Sequence, residues 1–112
     1  MLTIVNILST IQLSLIGDVM KKFKNELTEQ IRNGIITKGM SMDLFVRAQS
    51  KILLILSSEN MIDLKTPPSN HLEKLKGERK GQYSIRVNEK YRICFDWVGN
   101  EAFNIEFIDY HK

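Results

Sequence analysis

The 112-residue chain holds one cysteine and two histidines, and each shortage excludes a class of chemistry. Cys94 alone cannot close an internal disulfide, which suits a reducing, cytoplasmic setting. His71 and His111 lie too far apart in sequence to assemble zinc-ligand spacing, so no metal and no cofactor is expected. Only Pro67 and Pro68 represent proline, so no Pro-rich linker divides the chain. Long apolar runs are missing too. The most apolar stretch, MLTIVNILSTIQLSLIG, is short for a membrane span and is interrupted by Asn, Ser, Thr and Gln. It also lacks the basic start and small-residue cleavage site of a signal peptide. Residues 1–18 are therefore expected to be an N-terminal extension packed on the domain or on a second copy, with residues 19–112 forming a single domain.

What is present fits one modest core. Hydrophobic residues make up 43% of the chain, and 16 Lys plus Arg against 13 Asp plus Glu give a net charge of +3. That surplus is unevenly spread. Between residues 74 and 92 stand Lys74, Lys76, Arg79, Lys80, Arg86, Lys90 and Arg92, opposed only by Glu78 and Glu89. Such a stretch suits a polyanion.

Local signals predict two helices followed by a meander. NELTEQIRN, residues 25–33, carries good helix formers and stops at Gly34. Ser41 reads as the N-cap of a longer helix from Met42 to about Ser57, with Phe45, Ala48, Ile52, Ile55 and Leu56 on one face. A loop at Thr66 to Asn70 ends the helical half. The period then becomes two. Tyr83, Ile85 and Val87 alternate with polar residues, as do Tyr91, Ile93, Phe95 and Trp97, and AFNIEFI supplies a last strand after the turn VGNE. The expected fold class is α+β, with two to three N-terminal helices packed on an antiparallel sheet.

Alternation sorts the strands into two faces. Tyr83, Ile85, Val87, Ile93, Phe95, Phe103, Ile105 and Phe107 are expected to face the helices. Arg86, Arg92, Asn104 and Glu106 fall on the other face, and continued parity brings Tyr110 to that side. Metal-free cleavage of RNA needs a base for the ribose 2′-hydroxyl, an acid for the leaving oxygen and positive charge on the developing phosphorane. His111 can carry a proton near neutral pH, since free imidazole titrates at about 6.5. Tyr110 can donate a hydrogen bond or act as a base, Asp109 can fix an imidazole tautomer or the chain end, and Arg92 can bind phosphate. On spacing alone a solvated tail and a solvated basic face are the commoner account of the same residues. His71 reads as a loop residue, Cys94 as a small packed side chain, and Phe95 and Trp97 as core.

The run PPSNHLEKLKGERKGQYSIRVNEKYRICFDW and the ending IDYHK resemble the HigB toxins of the RelE/ParE superfamily. The match spans Pro67 to Lys112, and the helical part, with its KFKNEL opening, fits more loosely. The resemblance implies the RelE-like toxin fold and a ribosome-dependent messenger RNA endonuclease, in which the 2′-hydroxyl attacks the adjacent phosphate. By position, Arg92 matches the phosphate-stabilising arginine of the family, and Asp109, Tyr110 and His111 match its C-terminal catalytic group. Lys76, Arg79 and Lys80 match basic positions expected to grip ribosomal RNA, with Lys74 and Arg86 in the same basic region. Some members carry an active-site histidine two residues before the Leu of Leu-Lys-Gly. Here that position is Glu73, a candidate substitute base, with His71 two residues upstream.

The implied partners are the ribosome with bound message and a HigA-type antitoxin with a helix-turn-helix domain. Operator DNA would be met only through that antitoxin, and no membrane is involved. Two other functions share the superfamily: a ParE-like inhibitor of DNA gyrase, and an inactive member that only binds antitoxin. The terminal Tyr and His favour the nuclease, because a gyrase binder has no evident use for a proton-transfer pair.

Overall fold

The computed structural model describes residues 21–110; the extension at residues 1–18 and His111 lie outside the described residues. Helix α1, Glu26–Arg32, starts where Asn25 accepts a hydrogen bond from the Thr28 amide at 3.0 Å. It ends at Asn33, and Gly34 follows with φ +85°, the left-handed residue that closes many helices. Helix α2, Met42–Ser57, begins at Ser41, whose Oγ accepts from the Leu44 amide at 3.1 Å. The predicted stripe faces inward: Phe45, Ala48, Ile52 and Ile55 are buried. Full burial of each such isoleucine contributes roughly 1.5–3 kcal/mol.

Four antiparallel strands follow in sequential order: β1 (Glu73–Lys74), β2 (Gln82–Arg86), β3 (Tyr91–Val98) and β4 (Glu101–Asp109). Their inner face meets the helices in one core that includes Ile31, Ile52, Ile85, Ile93, Phe95 and Ile105. Among the described residues, two α-helices on a four-stranded antiparallel sheet make the α+β arrangement expected from the period change. Thr28 ties the layers together. Its Oγ1 accepts from the Phe107 amide at 3.0 Å and donates to Asn25 at 2.7 Å, so a fully buried hydroxyl has both roles filled.

One strand departs from simple alternation. Cys94 pairs with Glu106 and Asp96 with Phe103, which leaves Asn104 and Ile105 opposite Phe95 alone. This is a β-bulge, and within it Asn104 takes a left-handed conformation at φ 52°. The extra residue reverses the parity N-terminal to it. Phe103 therefore shares the face of Asp96, where the Lys22 ammonium sits 4.7 Å from its ring centre, and Ala102 takes the inner position beside Trp97. The expectation that Phe103 faces the helices is corrected by that residue. The same irregularity lets residues 21–24 run along β4, with Lys24 donating to the Ile105 carbonyl at 2.9 Å.

Candidate active site

The outer face of β2 and β3 carries two arginines directly opposite each other, Arg86 and Arg92. Like charges in that relation destabilise a sheet, so the pair is suited to an anion between or above them. Arg92 is held firmly. Its Nε donates to Ser84 Oγ at 2.8 Å, and Nη2 donates to the His71 carbonyl at 2.6 Å and to the Ser84 carbonyl at 3.4 Å. Only 8% of Arg92 is exposed, and among the described residues its hydrogen-bond acceptors are all neutral. Burial of a cation without a carboxylate in hydrogen-bond contact is costly, and an incoming phosphate offsets that cost.

The anchor from His71 is itself built from below. Asn70, fully buried, donates to the Leu64 carbonyl at 3.2 Å and to the Thr66 carbonyl at 3.1 Å, and its side-chain oxygen accepts from Lys51 of α2. This clasp fixes the diproline loop to the helix. His71 then turns through φ 44°, which sends its carbonyl to Arg92. From the other side the Tyr110 ring lies 5.3 Å from the Arg92 guanidinium carbon, a cation–π contact, while the Tyr110 amide donates to the Lys90 carbonyl at 2.9 Å. His71, Arg86, Asn88, Glu89, Arg92 and Tyr110 line one open cleft of about 420 Å³.

The remaining sequence-predicted residues sort themselves around this cleft. Glu73 is exposed on β1 opposite Ser84 and lines an adjoining hollow with Lys74, Lys76 and Tyr110, next to the arginine cleft and outside it. Lys74, Lys76 and Lys80 are exposed, whereas Arg79 is engaged within the chain, with Gln82 at 3.0 Å and Glu106 at 3.1 Å. Asp109 pairs with Tyr91 across β3 and β4, which puts it on the inner parity. There it approaches Lys90 at 3.6 Å, a position that ties down the strand end and does not line the cleft. His111 lies outside the described residues. Cys94 is fully buried, and burial above all pushes its thiol up to about 11.

His71 reads from the sequence as a loop residue upstream of Glu73, and the structure puts it in the cleft. Its neighbours in sequence mark a loop, and only the turn at Asn70 reveals that it borders the arginines. Among the described residues no group of three or more His, Cys, Asp or Glu side chains stands ready for a metal ion. None of the described helices is long and apolar enough to cross a membrane.

Fold and cleft together define a small α+β domain with an anion-ready basic face on its sheet. Sequence comparison gives the family. The profile of the RelE-like toxin of type II toxin–antitoxin systems, HigB, matches residues 20–111, and the chain belongs to that family. It is similar to Toxin HigB-1 of Vibrio cholerae serotype O1, with 35% identity over 96 residues, 81% of this chain and 96% of the relative. It is also similar to the Endoribonuclease HigB of Proteus vulgaris, with 26% identity over 93 residues, 83% of this chain and 100% of the relative. An uncharacterized protein of Haemophilus influenzae shares 44% identity over 62 residues, 55% of this chain and 60% of that protein. Membership of a type II system makes an antitoxin this chain's partner.

Proposed function

We propose that this toxin is an endoribonuclease that enters the ribosome and cuts bound message without a metal, through attack of a ribose 2′-hydroxyl on the adjacent phosphate. One observation carries the reading: Arg92 is buried, fixed by Ser84 and the His71 carbonyl, capped by Tyr110, and opens on a cleft it shares with Arg86 and His71. The name of the Proteus relative supports the same activity.

In this mechanism Arg92 donates to a non-bridging oxygen, where charge grows as the fifth bond to phosphorus forms. Because its anchors already hold it, little reorganisation accompanies that growth. The 2′-hydroxyl proton passes to a base, the 2′-oxygen bonds to phosphorus, and the 5′-oxygen leaves with a proton from an acid. The products are a 2′,3′-cyclic phosphate and a free 5′-hydroxyl. His111 is the firmest proton carrier on sequence, Tyr110 and His71 are cleft residues that can take the complementary role, and Glu73 is a further candidate base at the margin. Asp109 supports the strand end that carries Tyr110. Lys74, Lys76, Lys80 and Arg86 make phosphate contacts to RNA, and such contacts position the toxin without reading sequence. Action on ribosomes places the toxin in the cytoplasm. Its antitoxin is of the HigA type, through which alone it meets operator DNA.

The test is to incubate the purified toxin separately with programmed ribosomes and with gyrase, mapping message ends and measuring supercoiling. Message cut to cyclic-phosphate ends, with supercoiling intact, is expected. Uncut message with lost supercoiling selects a ParE-like gyrase inhibitor. His111→Ala and Arg92→Ala should each relieve growth inhibition and still bind antitoxin; full toxicity in both removes the catalytic assignment.

A further inference from the structure

The cleft around Arg92 does not end at Arg86. A second hollow of about 650 Å³ adjoins it, sharing Arg86, Asn88 and Glu89 and extending to α2 and the diproline loop. Arg47, Ser50 and Lys51 line it from α2, and Ser69 lines it from the loop. Helical spacing explains the grouping, since Arg47 and Lys51 are four residues apart and project from one side of α2. Among the described residues, the hollow gathers three cations, Arg47, Lys51 and Arg86, and one carboxylate, Glu89.

Each cation has a reason to accept an anion. Arg47 meets Asp43 at 3.2 Å, but both side chains are mostly exposed, and an exposed pair of this kind yields readily to a stronger acceptor. Lys51 is half-buried and held by Asn70, a neutral partner. Burial first, and the charge of Arg47 second, lower the Lys51 pKa, so a negative group nearby favours the ammonium again. Hydroxyls of Ser50 and Ser69 add neutral donors.

We infer that this hollow is a second phosphate subsite, in which Arg47 and Lys51 hold the RNA backbone next to the nucleotide whose phosphate Arg92 clamps. The inference rests on the cleft reading above and names the substrate-binding surface of that site. RNA lying in the continuous groove would meet Arg47 and Lys51 at one end, Arg86 in the middle and Arg92 at the other. A phosphodiester chain has the repeating charge that such a row of cations fits.

The experiment uses the full chain, isotope-labelled for NMR, and a 2′-O-methyl oligoribonucleotide, which cannot be cut because its attacking hydroxyl is blocked. Shifts at Ser50, Ser69 and the Arg47 side chain, together with those at His71 and Arg92, are expected. Arg47→Ala, at an exposed position, should weaken binding about tenfold and lower the slope of log affinity against log salt by about 0.7. Arg47→Lys should restore much of that slope. Shifts confined to His71, Arg92 and Tyr110, or an Arg47→Ala variant that binds like the wild type, overturn the subsite and leave the cleft reading intact. No shift at any position overturns the subsite as well. Failure to cut message on programmed ribosomes, with shifts present in both hollows, counts against the nuclease reading and supports the subsite.

Discussion

Replacing Arg92 with lysine keeps the charge and removes the fork. In the native chain one guanidinium bonds Ser84 through Nε and the His71 carbonyl through Nη2, and still borders the cleft. An ammonium has its three donors on a single atom, so it can satisfy one anchor or reach the cleft, but not both. Losing a hydrogen bond made by a charged group costs about 1.5–3 kcal/mol, which for a domain of this size lowers Tm by about 6–12 °C. Losing a fixed donor to the developing phosphorane costs about 10²–10³ in rate, or about 2.7–4 kcal/mol. Single-turnover cleavage of message on programmed ribosomes, well below the variant's Tm, measures the second effect, and calorimetry measures the first. A cleavage rate within threefold of the wild type refutes the role of Arg92 as phosphate clamp. A large rate loss with an unchanged Tm refutes the claim that Ser84 and His71 hold it.

Two further outcomes follow from the supports of the site. Asn70→Ala strands two carbonyls and the Lys51 ammonium, so urea unfolding should report a loss of about 2–4 kcal/mol, and activity should fall because the His71 carbonyl loses its seat; a loss under 0.5 kcal/mol contradicts the clasp. The Cys94 thiol, raised from 9.0 to about 11, stays neutral in the folded chain while an unfolded thiol ionises. Its contribution to stability is thus full below pH 9 and lost as pH rises toward 11, a decline that Cys94→Ala should lessen in pH-dependent unfolding; an equal decline in both chains rejects that account.

Much of the scaffold was readable because short-range chemistry dictates it. Ser41 caps α2, Gly34 closes α1, and alternation exposes the arginine face, each decided by residues within a few positions. The misplacement of Phe103 has a different origin. Asn104 adopts a left-handed conformation that no glycine announces, and one such residue inverts everything before it on the strand. The pairing of residues 21–24 with β4 is a long-range contact with no local signature, and β1 is two residues long, too short for periodicity. At the site, parity drew Tyr110 toward Arg92, but it also assigned Asp109 to a different face from its neighbour, which grouping the two by adjacency had hidden. His71 looked like a mere loop residue because its place depends on buried Asn70 and on Lys51, nineteen residues before that asparagine.

The hold that His71 has on Arg92 is made by a carbonyl, not by the imidazole. The two jobs of that position are therefore separable. Exchange of the side chain leaves the main-chain acceptor in place wherever the new residue tolerates φ 44°, so the chemistry lining the cleft can change while the clamp stays set. A toxin built this way has room to vary how protons move without rebuilding the part that grips phosphate. Asparagine or aspartate at position 71 should be accepted most readily, and a β-branched residue least, because the latter would strain the turn that aims the carbonyl.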